Sequence, residues 1–342
     1  MTGMIFVVGN SRSGTTMLGR IFGSHSQVYM FEELHFFEHL IDAATVLERP
    51  IWSENECIQL LERLITTAHG GFFRKVVPGK YSSDAECILA QSPSKDPASI
   101  YATFLKYETC RNGKTIPCEQ TPRYLFYASE ILEAYPSAKI VNIVRDPRDV
   151  LLSQKNKWRI RFLGTKSIPL REAFRAWVNY HPYTISLLWL GALRKAQQME
   201  SHPRFISIRF EDLLAQPEIT TRKLCEFAEL PFEPEMLNVP QIGSSIGQDN
   251  PSRKGIDSER VGGWRKGGLT PTEISICQRV AENQMKRMGY EIAEIPTTIL
   301  HRSFSMLLFM VKASMALLLN LSRTKNLRET LRRRLEVRGN KV

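Results

Sequence analysis

Gly9 and Gly14 bound a short segment, Gly9-Asn10-Ser11-Arg12-Ser13-Gly14-Thr15-Thr16, that holds one cation among four hydroxyls. Glycine at each end lets the chain turn and lets backbone N–H groups approach an anion without a Cβ in the way. The spacing G-x-x-x-x-G-T-T nearly matches the nucleotide-binding pattern G-x-x-x-x-G-K-[ST], but Thr15 stands where that pattern has lysine. Nucleotide triphosphatases use the lysine on the β/γ-phosphates. Here Arg12 offers a guanidinium fork suited to a planar or tetrahedral oxyanion. A second pair with anion chemistry is Arg145 and Ser153, eight residues apart, a bidentate cation plus a hydroxyl donor for a phosphomonoester. The alternative for Arg145 is an ion pair with a nearby carboxylate.

These groups need elements to hold them. Met4 to Val8 is an apolar run that fits a buried strand, and Leu18, Ile21 and Phe22 follow the loop at helical spacing. Strand, glycine-bounded loop and helix form a phosphate cradle, with the helix aiming its positive N-terminus at the anion. Further strands are expected at Gln27–Met30, Thr115–Cys118, Lys139–Val144 and Arg204–Ile208. Arg145 then falls just past a strand's carboxyl end, where open α/β sheets place ligands. Asp146 is an N-cap, Pro147 suits the first helical position and Asp149 the capping-box position. Helices are expected over Leu34–Leu47, Trp52–Ala68, Pro97–Arg111, Arg123–Tyr135, Leu170–Met199, Pro217–Glu229 and Pro271–Met288. Gly70–Ser94 reads as a loop near an acceptor site, and Gly243–Gly268 as a long Gly/Ser/Arg-rich loop. Strands separated by helices imply a parallel sheet covered on both faces. The expectation is one α/β domain, roughly residues 1–294, with a C-terminal appendage at 295–342.

The loop motif R-S-G-T-T resembles the 5′-phosphosulfate loop of sulfotransferases that use 3′-phosphoadenosine 5′-phosphosulfate (PAPS), in their tyrosylprotein and bacterial carbohydrate/lipid branches. V-R-D-P-R-D-V-L-L-S, residues 144–153, resembles the 3′-phosphate site of the same family. The resemblance implies a three-layer α/β/α fold of the P-loop nucleotide-hydrolase type. It implies PAPS as co-substrate, held by Arg12, Ser13, Gly14, Thr15 and Thr16 at one end and by Arg145 and Ser153 at the other. Glu33, 21 residues after Arg12, stands at the offset of the tyrosylprotein branch's catalytic glutamate, in a similar Glu-Glu pair. Glu33 is thus the expected base, with Glu32 and His35 as alternatives, and Arg12 the expected stabiliser of charge on the transferred group. R-V-G-G-W-R-K, residues 260–266, resembles the late basic loop, with Arg265 as donor and Trp264 as packing anchor. Two positions depart from the family: Gln120 replaces a lysine before Thr-Pro, and Phe210 replaces the tyrosine of Tyr-Glu-Asp. The implied reaction needs no metal and no covalent intermediate. Competing readings are a P-loop kinase and a nucleotide-binding protein without catalysis.

Composition narrows the setting. The 342 residues carry a net charge of +11. Residues 295–342 hold ten Lys/Arg against Glu329 and Glu336, a surplus of eight, which leaves the body only weakly basic. Nucleic-acid binding by the body is therefore not supported. Six cysteines show no metal-ligand spacing, in keeping with reduced thiols. The first strand starts at residue 4, so a cytoplasmic enzyme is expected. Ser303–Leu321 has Lys312 as its single charge, and a dense basic segment, Arg323 to Lys341, follows. Ser305, Lys312, Ala316 and Arg323 fall on one helical stripe. The expectation is a helix lying on an anionic, inner membrane surface through 303–341, which favours a lipid or glycolipid acceptor over another small molecule. The alternative is a helix packed on the domain or in a homodimer.

Overall fold

Residues Ile5 and Val7 of the first strand face one apolar layer, and Phe6 and Val8 face another. That is why the run is continuous rather than alternating: a strand covered on both faces has no polar side to show. The computed structural model describes residues 3–163, 169–241, 250–256, 260–320 and 332–333. Its sheet has five parallel strands: β1 (Met4–Gly9), β2 (Val28–Phe31), β3 (Ile116–Gln120), β4 (Ala138–Val144) and β5 (Phe205–Arg209). Their spatial order is β2-β3-β1-β4-β5. Pairings Val7 with Gln120, Gly9 with Ile143 and Val144 with Arg209 bring four carboxyl ends to one edge. A separate two-stranded ribbon joins β6 (Pro240–Gln241) and β7 (Asn250–Lys254).

The helices are α1 (Thr15–Gly23), α2 (Ala43–Glu48), α3 (Glu54–Gly70), α4 (Ser82–Ala90), α5 (Pro97–Arg111), α6 (Ala128–Ala134), α7 (Pro147–Lys155), α8 (Leu170–Asn179), α9 (Pro182–Met199), α10 (Phe210–Ala215), α11 (Pro217–Ala228), α12 (Pro271–Arg287) and α13 (Ile299–Asn320). The three-layer α/β/α arrangement with a central parallel sheet is the expected one. Caps set several boundaries. Asp96 accepts the Ser99 N–H ahead of Pro97, and Ser53–Glu56 and Thr270–Glu273 form full capping boxes.

Five expected elements differ. Arg123–Tyr135 begins as a 3₁₀ turn at Pro122–Tyr127, and only Ala128–Ala134 is α-helical. Leu34–Leu47 is not one helix: a π-turn at Phe36–Leu40 precedes α2, because His35 enters with φ +55° and reverses the chain. Gly70–Ser94 contains α4. Leu170–Met199 is broken, since His181, preceding Pro182, is extended (φ −150°) and caps α9 by accepting the Tyr183 N–H. Within Gly243–Gly268 the described part holds β7 and a 3₁₀ turn at Gly263–Lys266; residues 242–249 and 257–259 lie outside the described set.

Helix α13 packs on α8 and α12. Among the described residues it is the one helix long and apolar enough to cross a membrane by length and composition. Its Lys312 donates to the Tyr180 carbonyl at 3.0 Å and lies over the Trp177 ring, while His181 meets the Ser305 carbonyl at 3.0 Å. Most of the expected basic segment 323–341 lies outside the described residues; Arg333 pairs with Glu130.

Candidate active site

The cradle lies between β1 and α1. Gly14 adopts φ +101°, and a Cβ there would stand 2.5 Å from the Phe210 ring, so only glycine fits. Gly14 also occupies the N-cap of α1 without a side-chain cap, which leaves the first N–H groups of that helix aimed outward. Arg12 sits in the same loop at φ +74°, a conformation rare for a side chain of its size. Its Nε donates to Ser153 Oγ at 2.9 Å. Ser13 is fully buried, and its hydroxyl has no partner among the described residues.

The second expected site begins where β4 ends. Arg145 lies over the Phe210 ring at 4.4 Å, and one Nη donates to the Arg260 carbonyl at 2.7 Å. The Asp149 carboxylate is 3.6 Å away, so the expected alternative, an ion pair, is present. Arg145 Nε is buried and unpartnered among the described residues. Burial pulls its pKa down, with Asp149 opposing. Asp146 caps α7 as expected, accepting the Arg148 N–H at 2.8 Å and binding the Arg148 guanidinium. Asp149 does not complete a capping box. Its two oxygens accept the Gly262 and Trp264 N–H groups, each at 2.9 Å, and so tie the late loop to α7.

Trp264 is the buried anchor expected of that loop, gripped by Arg148 at 4.0 Å. Arg265 stacks on the outer side of Trp264 and pairs with the exposed Glu291 at 3.2 Å. No hydrogen bond or ion pair among the described residues joins it to Arg145 or Ser153. Gln120, in the place of the family's lysine, is buried and donates to the Thr15 hydroxyl at 3.3 Å. It holds the start of α1.

Glu33 follows β2 and is half exposed, its Oε2 3.1 Å from His35 Nε2. The other imidazole nitrogen is 3.2 Å from Glu38, which also binds Arg123. Burial opposes charge on the imidazole, but the two carboxylates outweigh it and raise its pKa to about 9. His35 is therefore an imidazolium near neutrality, an acid rather than the alternative base. Burial likewise opposes ionisation of Glu33, yet His35, Lys157 and Arg123 together hold its carboxyl below the usual range. Phe72, from the segment after α3, packs edge-on against His35 at 4.6 Å, so the stretch expected near an acceptor does reach this cluster. His35, Glu38 and His39 are also close enough to share a metal ion; the Arg123 guanidinium on Glu38 and the proton on His35 both oppose one.

Three groups escaped the sequence reading. Lys157, just past α7, has no hydrogen-bond or ion-pair partner among the described residues. Desolvation, Arg123 and Arg12 pull its pKa down to about 8, while Glu33 and Glu172 pull the other way. Arg123 completes the Glu38 pair. Glu119, fully buried, accepts the Leu34 N–H at 3.2 Å and the Thr121 hydroxyl at 2.6 Å, fixing the backbone beside Glu33. Burial raises its pKa to about 8. Only Glu119 carried a sequence signal, a charged residue inside a central strand.

Residues 4–234 match the sequence profile of the sulfotransferase family. The chain belongs to that family. Membership supports sulfonate transfer as the protein's general chemistry. Among relatives, carbohydrate sulfotransferase 3 of Tetronarce californica is 22% identical, over 89% of this chain and 76% of its own. Protein-tyrosine sulfotransferase A of Caenorhabditis elegans is 21% identical, over 84% and 67%. An uncharacterized protein of Aquifex aeolicus is 25% identical over 77% of this chain, which spans only 30% of that protein's length.

Proposed function

We propose that this sulfotransferase moves the sulfonate of PAPS to an acceptor hydroxyl of a carbohydrate, lipid or glycolipid, with Glu33 as base. The hydrogen bond between Arg12 and Ser153 carries the reading, because it joins the glycine-bounded loop to the Arg145 site. A ligand with an anion at each end spans that junction. The unpartnered Ser13 hydroxyl and Arg145 Nε are donors of the kind such a ligand needs.

In this reading Ser13, Gly14, Thr15, Thr16 and Arg12 hold the phosphosulfate, while Arg145 and Ser153 hold the 3′-phosphate under the loop that carries Arg265. Glu33 takes the acceptor hydroxyl proton as the oxygen attacks sulfur in line. The bond from sulfur to the 5′-phosphate oxygen breaks, and 3′-phosphoadenosine 5′-phosphate leaves. Arg12 and Lys157 offset the charge that builds on the departing phosphate. Related proteins named for carbohydrate and tyrosine acceptors support a hydroxyl as the nucleophile. Calorimetry with PAPS and with ATP–Mg²⁺ tests the donor: PAPS should bind and ATP should not. Tight ATP binding with no PAPS binding would return the chain to the kinase reading.

A further inference from the structure

Two apolar helix faces lie side by side on this molecule. On α8, Leu170, Phe174 and Trp177 recur at i, i+4 and i+7 and are 62, 48 and 47% exposed, while Ala173, Arg175 and Val178 turn inward. On α13, Phe304, Leu307, Met310, Val311 and Leu318 point outward and are 55–70% exposed. The outward residues between Ser303 and Leu318 include no charged side chain. The helices are bonded to each other: Arg175 donates to the Leu319 carbonyl at 2.6 Å, and Lys312 lies 4.7 Å over Trp177.

The polarity of α13 is the reverse of an ordinary surface helix, whose apolar stripe faces the core. Ser305, Lys312 and Ala316, the stripe that would face water on a membrane-bound helix standing alone, are the side turned to the protein. The lipid-like side is left outside. An exposed apolar face of this kind marks an interaction surface.

We propose that the α8–α13 face seats the protein on an anionic lipid bilayer. Charge selects this occupant. The outward face is neutral, and residues 295–342 have a surplus of eight positive charges. That combination suits acidic headgroups around a shallow apolar insertion. A second copy would carry the same surplus of positive charge. Position gives the seat a purpose. Helix α8 packs on the turn that begins at Lys157, and the Glu172 carboxylate acts on the Lys157 charge, as do Arg12, Arg123 and Glu33. The seat therefore adjoins the cleft, and an acceptor hydroxyl on a lipid headgroup would meet Glu33 without leaving the bilayer. This last step rests on the sulfotransferase reading; the docking does not.

The full chain should co-sediment with phosphatidylcholine vesicles containing phosphatidylserine, much less with phosphatidylcholine alone, and less as salt rises. Phe174→Ser with Trp177→Ser should weaken binding about tenfold or more, as should Leu307→Ser with Leu318→Ser, with PAPS calorimetry unchanged as the check on folding. Brominated lipid should quench Trp177 fluorescence, and Trp177→Phe should bind yet lose that quenching. Wild-type protein that ignores acidic vesicles overturns the proposal. So does binding indifferent to the α8 and α13 substitutions, or a dimer in light scattering that those substitutions dissolve. Wild-type protein that binds acidic vesicles but not PAPS would instead sink the donor assignment.

Discussion

Arg12 Nε and Ser153 Oγ stand 2.9 Å apart, although 141 residues separate them in the chain. The bond ties the loop after β1 to the last turn of α7, and Gln154 adds a second tie by donating to the Ser11 carbonyl at 3.4 Å. Two segments that each look like half of an anion site are thus a single surface. Arg12 pays for its place with an unfavourable backbone conformation, so its guanidinium is held where a flexible lysine would wander.

Arg12→Ala should leave the fold intact and cut sulfonate transfer by a factor on the order of 10²–10³. Release of labelled 3′-phosphoadenosine 5′-phosphate from PAPS in a lipid and glycan extract measures it. Wild-type turnover in a well-folded variant would remove Arg12 from the reaction.

Glu33→Gln should keep PAPS affinity and lose roughly 10²–10⁴ in rate. His35→Gln tests the partner. Without the imidazolium, the Glu33 carboxyl rises toward its ordinary range, so the acid limb of the kcat profile should move to higher pH. An unmoved limb would show that Lys157 and Arg123 hold the Glu33 charge without His35.

Arg145→Ala should weaken PAPS by roughly 10- to 100-fold, the worth of a hydrogen bond to a charged group. Adenosine 5′-phosphosulfate, which lacks the 3′-phosphate, should be nearly unaffected. Equal losses for both ligands in calorimetry would assign Arg145 to structure instead.

Glu119 predicts a stability profile. Its folded pKa of about 8 lies above the ordinary 4.5. As pH rises from 4.5 the unfolded chain ionises this carboxyl while the folded chain keeps its proton, so stability is lost up to about 8. Glu119→Gln retains an acceptor for the Leu34 N–H and should gain roughly 1–3 kcal/mol over the wild type between those limits. Urea unfolding at both ends of the window checks this; a constant difference would mean that Glu119 stays charged in the fold.

The first strand was legible because it is buried on both faces and apolar throughout, as Ile5, Phe6, Val7 and Val8 are. Pro97–Arg111 was legible to the residue because Asp96 and Pro97 leave one place to start. The cradle could be read because only glycine fits at position 14. What could not be read is set by contacts distant in sequence. Nothing local says that Asp149 serves the Gly262 and Trp264 amides rather than its own helix. Nothing local brings Lys157 and Arg123 to Glu33, or turns Lys312 inward. His35 looked like a spare base until Glu33 and Glu38 were seen on its two nitrogens.

The Phe210 ring stands where a Cβ on Gly14 would have to go, and the Arg145 guanidinium lies over it. The ring therefore limits how the sequence can drift. A methyl group at position 14 demands a smaller residue at 210, and a smaller residue at 210 removes the surface on which the Arg145 guanidinium lies. Three positions that never touch in pairs of equal kind, a glycine, an aromatic ring and a cation, are bound to change together or not at all, and the ring in the middle decides which.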